Sequence, residues 1–104
     1  MATIKWLENE IIRLKADINS DKRQADRFTT QANYHETTEP EISAISRQTA
    51  GKYSREAEEF ENKIAEYQRQ IDDLKQQVSQ LSEERDSLRR QADEKDRQII
   101  DITG

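Results

Sequence analysis

His35 is the only histidine in the chain, and Glu36, Glu39 and Glu41 follow it closely. An imidazole with converging carboxylates is a donor set that a divalent metal could use, and no other stretch offers one. There is no Cys, so thiolate ligands, a thiol nucleophile and a disulfide framework are all excluded. Serine and threonine hydroxyls need a positioned base to become nucleophiles, and no second histidine is present to serve them. Asp72-Asp73 and Glu83-Glu84 are adjacent carboxylates, but they lie among charged neighbours at helical spacing, where solvation rather than acid-base catalysis accounts for them. Gly51 and Gly104 are the only glycines, too few for a loop that cradles phosphate. The expectation is a chain with no catalytic residue, no metal and no cofactor, not an enzyme, in which His35 closes a helix as a partly exposed structural residue.

Basic side chains cluster at Arg85, Arg89, Arg90, Lys95 and Arg97, yet Glu83, Glu84, Asp86, Asp93, Glu94 and Asp96 are interleaved with them. Counterion release from nucleic acid depends on a net surplus of Lys and Arg. The chain instead carries net charge −5, with its acidic excess concentrated in residues 36–62. Nucleic acid is therefore not an expected partner.

What must position these residues is read from the apolar pattern. Of the 104 residues 32% are hydrophobic and 38% charged, against roughly 45–50% apolar in an ordinary globular domain. So small an apolar share fits long helices joined along a narrow seam. Phe60, Ile64, Tyr67, Ile71, Leu74, Val78, Leu81, Arg85, Leu88, Ala92, Lys95, Ile99 and Ile102 alternate steps of four and three without a slip, which is a heptad. Ala57, Tyr53 and Ala50 extend it backward. Ile4, Leu7, Ile11, Leu14, Ile18, Asp21, Ala25, Phe28, Ala32 and His35 form a second such series.

The two series break only around Pro40, which is tolerated in a first helical turn and not in a helix interior. Thr38 followed by Glu41 matches a capping box. The sequence thus predicts one all-α domain over 1–104: helix 1 at about 3–35, a turn at 36–39 and helix 2 at about 40–103. If the chain reverses near residue 39, facing residues have numbers adding to 78, and Ile4/Leu74, Leu7/Ile71, Ile11/Tyr67, Leu14/Ile64 and Ile18/Phe60 are all apolar pairs. A register one heptad further on would set Asp21 against Ile64 and turn 36–51 into a connector ending at Gly51. The desolvation of a carboxylate against an apolar partner favours the first.

The fold class that follows is a long antiparallel helical hairpin, a coiled coil whose second helix overhangs the first over 75–103. Val78, Leu81, Leu88, Ile99 and Ile102 continue the heptad there, with Arg85 and Lys95 at core positions. Such a stripe predicts a protein partner or a second copy. Val or Ile at the first core position and Leu at the second suit a two-stranded homodimer. In a parallel pair Arg85 meets Arg85, and in an antiparallel pair it meets Lys95. Trp6 and Ile12 lie off the seam of helix 1 and complete the expected interface, Trp being enriched at binding hot spots.

The expected function is structural or adaptor, through protein-protein interaction and self-association. Two alternatives belong to other classes. A hairpin with Asn33-Tyr34-His35-Glu36 and acidic neighbours Glu39 and Glu41 at its tip resembles the transcript-cleavage factors of the Gre type, and this implies a regulator that inserts an acidic tip into a partner enzyme. A small helical hairpin is also similar to the WXG-type proteins of specialised secretion, although no Trp-x-Gly sits at this turn. No apolar run reaches the roughly 18 residues of a membrane span, and the first residues lack the pattern of a signal peptide; a cytoplasmic location is expected, with secretion lacking a signal peptide as the other possibility.

Overall fold

The computed structural model describes residues 2–104. Two helices account for nearly all of them, α1 over Ile4–His35 and α2 over Pro40–Thr103, joined by a turn at 36–39 and running antiparallel. The all-α hairpin with a much longer second helix is thus the observed fold, with helix ends close to those expected from the heptads.

Helix α1 is started by Thr3, an N-cap that the sequence reading did not single out. Its extended backbone (φ −86°, ψ 160°) lets the side-chain oxygen accept from the Trp6 amide at 3.1 Å, while its carbonyl accepts from Leu7 at 3.0 Å. The Trp6 amide, which no intrahelical carbonyl can reach, is thereby satisfied, and the Leu7 bond is the first of the helical ladder. At the other end the chain turns without a left-handed residue: among the described residues no non-glycine has positive φ, and Glu36 keeps helical angles.

The expected capping box of Thr38 and Glu41 does not form. The Glu39 amide donates to the His35 carbonyl at 2.9 Å, which carries the α1 turn through residues 36–38, and α2 starts at Pro40, as expected. Proline then occupies the first helical position, where its fixed φ is suited and its missing N–H costs nothing. The Glu39 carbonyl takes the Ser43 amide at 3.1 Å, and Glu41 in the first turn faces the positive end of the helix dipole.

The chain forms two units, Met1–Ile71 and Asp72–Gly104. The first is the hairpin proper. Helix α1 contributes the buried Leu7, Ile11, Leu14 and Ile18, with Leu7 fully enclosed, and Ile71 is buried on α2. Each such side chain is worth roughly 1.5–3 kcal/mol on full burial, so this end carries most of the apolar stabilisation. Toward the turn the seam narrows to Ala25, Ala32, Ser43, Ser46, Ala50 and Ala57. Small side chains of this kind let the helices pack closely where few large ones are present.

Contacts across the hairpin agree with facing numbers near 78. Trp6 against Tyr67 and Ala32 against Ser43 fall slightly short of it, whereas Phe28 against Tyr53 and Lys22 against Glu61 fall slightly beyond. Facing numbers adding to 78 would set Phe28 against Ala50 and Tyr53 against Ala25; the two rings instead stack on each other, with centroids 5.9 Å apart and planes 9° from parallel. Gly51 lies within α2 and not at the end of a connector, and only the Arg55 side chain approaches its missing methyl group.

The second unit is the remaining length of α2, helical to Thr103. No helix of the described residues is long and apolar enough to cross a membrane.

Candidate functional site

In the second unit the heptad stays regular while its apolar members stay uncovered. Val78, Leu81, Leu88, Ile99 and Ile102 are all exposed, from 54% at Val78 to 86% at Ile102. Steps of three and four residues on an α-helix return to one face, so these side chains make a single stripe. Leu81, Leu88 and Ala92 line a shallow, largely apolar groove flanked by Glu84, Arg85 and Arg89. Arg85 interrupts the stripe, its Nε 3.4 Å from Asp86 Oδ1, and Lys95 is exposed. Ile100 is exposed as well but lies off the stripe.

In the hairpin unit, Ile12 is exposed on the outer side of α1, as its off-seam position requires. Trp6 behaves differently. Its residue remains 47% exposed, but the ring meets Tyr67 edge to face with centroids 6.0 Å apart. Trp6 precedes the fully buried Leu7, only one helical step of about 100° away, so a side chain as long as tryptophan can lean back across the seam. One face of the indole is thus committed to the hairpin and the rest is free.

The tip residues do not converge. Glu36 Oε1 lies 3.5 Å from an Arg47 nitrogen, and the same guanidinium reaches Asn33 Oδ1 at 3.4 Å. Glu39 Oε1 approaches His35 Nδ1 at 3.3 Å, an ion-pair distance without hydrogen-bond alignment, since that nitrogen is buried with no bonded partner. The imidazole also packs edge-on against Tyr34. Glu41 is exposed in the first turn of α2. Among the described residues no group of three or more His, Asp or Glu side chains is arranged to hold a metal ion.

Tyr34, Ile42 and Ile45 are exposed apolar side chains around the turn that the heptad reading passed over. They fall between seam positions, and a separate survey of off-seam apolar residues is the signal that finds them. Comparisons with protein-family models, with curated proteins and with solved structures find no match to this chain.

Proposed function

We propose that the chain is a non-enzymatic structural or adaptor protein that works through protein-protein contact and associates with itself along residues 78–102. The observation that carries this reading is the unbroken heptad whose Val78, Leu81, Leu88, Ile99 and Ile102 are exposed. In proteins most helical stability comes from packing of an amphipathic face and little from propensity alone. Full burial of five such side chains offers about 7–15 kcal/mol per chain, of the order of the roughly 4–15 kcal/mol that association costs in translational and rotational freedom. Arg85 and Lys95 at core positions lower that return and select the partner, as polar core residues do in coiled coils.

The acidic-tip alternative has less behind it, because Glu36 lies beside the Arg47 guanidinium and the tip carboxylates do not converge. Sedimentation equilibrium of the full chain and of a Leu81→Asp/Leu88→Asp variant tests the proposal. A dimer that becomes a monomer in the variant supports it; a monomeric parent chain at tens of micromolar overturns self-association.

A further inference from the structure

Resting on that self-association, we infer that the second copy lies parallel and in register, each residue from 78 to 102 facing its own counterpart. The inference comes from the side chains that flank the stripe. With Val78, Arg85, Ala92 and Ile99 at the first core position and Leu81, Leu88, Lys95 and Ile102 at the second, Glu84 immediately precedes a first-position residue. Arg89 and Asp96 immediately follow second-position ones. These flanking sites decide orientation in a two-stranded coil, because parallel and antiparallel pairs bring different ones together.

In the parallel pair each core side chain enters a hole of four residues on the facing helix. The hole that receives Arg85 includes the second copy's Glu84, and the hole that receives Lys95 includes the second copy's Asp96. Both core cations therefore meet a carboxylate next to their own counterpart, which offsets the like charge across the axis. Glu84 of each copy also faces Arg89 of the other across the edge, giving two further attractive pairs related by symmetry.

The antiparallel pair that covers the same stripe centres on residue 90. It puts Arg85 against Lys95, with the second copy's Asp96 beside Arg85 and its Glu84 beside Lys95, so the core cations are met as well as in the parallel pair; the edges differ, because it sets Arg89 against Arg89 and Glu84 against Gln98. The attractive Glu84–Arg89 pairs of the parallel arrangement are lost, and a like-charged Arg89 pair replaces them. Core identities fit the parallel arrangement, since within parallel coils β-branched Val78 and Ile99 at the first position with Leu81 and Leu88 at the second favour two strands. Glu84, Arg85 and Arg89 already flank the apolar groove of Leu81, Leu88 and Ala92, so the charges stand at the edge where a facing helix would meet them.

The chain has no cysteine, so Ser79→Cys and Asp101→Cys variants of the full chain, on the outer side of the helix near the two ends of the stripe, can each carry one spin label. Dipolar spectroscopy at dimer-forming concentration reads the separation between copies. In a parallel, in-register pair both variants give distances set by the width of the coil alone, below roughly 30 Å for helices about 8–10 Å apart. An antiparallel pair adds an axial offset of roughly 33 Å at 1.5 Å per residue, so both distances exceed about 35 Å and the inferred orientation is overturned while self-association stands. Absence of any dipolar signal in both variants overturns the self-association beneath it as well.

Discussion

Ser43 Oγ donates to the carbonyl oxygen of Ala32 at 2.8 Å, in the buried seam between the two helices. It is a tertiary bond from the first turns of α2 to the last turn of α1, placed where the seam holds only small side chains. A net worth of about 0.5–1.5 kcal/mol is ordinary for a neutral bond of this kind. Ser43→Ala, which removes the donor with little change of volume, is expected to lower the unfolding free energy by about 1 kcal/mol in urea titration, with the slope of the transition unchanged.

Asp21 is 7% exposed and its Oδ2 is buried with no bonded partner. It occupies a core heptad position, with the small, buried Ala57 at the facing position on α2. A polar group in that setting keeps its desolvation cost, on the order of 1–3 kcal/mol from protein mutational data. Asp21→Leu supplies an apolar side chain against a small neighbour and is expected to stabilise the chain by about 2 kcal/mol in the same titration. An unchanged or lower midpoint would show that the carboxylate is satisfied in solution.

Trp6 is the only tryptophan, so its emission reports on the open end of the hairpin alone. With one edge-to-face contact to Tyr67 and nearly half its surface in water, it should emit between the values of a buried and a fully solvated indole. Tyr67→Ala is expected to shift that emission to the red and to cost about 1 kcal/mol for the aromatic pair beyond the buried area lost. An identical spectrum in the variant would mean that the pair does not persist in solution.

Much of the fold could be read from the residues because a coiled coil states its geometry in its spacing. The steps of three and four from Ile4 to His35 and from Ala50 to Ile102 define both helices, and Pro40 with its acidic neighbours marks the reversal. The register was legible too, since facing numbers near 78 set Asp21 against the small Ala57, whereas the register one heptad further on would set it against Ile64. What escaped the reading depends on contacts that a linear pattern does not carry. Thr3 caps α1 because the chain before Ile4 is extended, while Thr38 loses its cap because the Glu39 amide goes to His35. Glu36 looked free until the hairpin brought Arg47 beside it, and Trp6 looked fully outward until its length allowed it to reach Tyr67. The stripe over 78–102 was legible as a heptad, but what the proposed association would lay on it is a property of two molecules, which the spacing of one chain does not carry.

The most direct measurement is amide hydrogen exchange read by mass spectrometry at two protein concentrations, one well below and one well above the dimer midpoint. Residues 7–71 close on themselves through Leu7, Ile11, Leu14, Ile18 and Ile71, so their exchange should be slow and insensitive to concentration. Residues 78–102 have their apolar face uncovered in the single chain, so under the proposed self-association their exchange should slow markedly as concentration rises. Equal protection of 78–102 at both concentrations would contradict the reading of this stripe as a self-association surface.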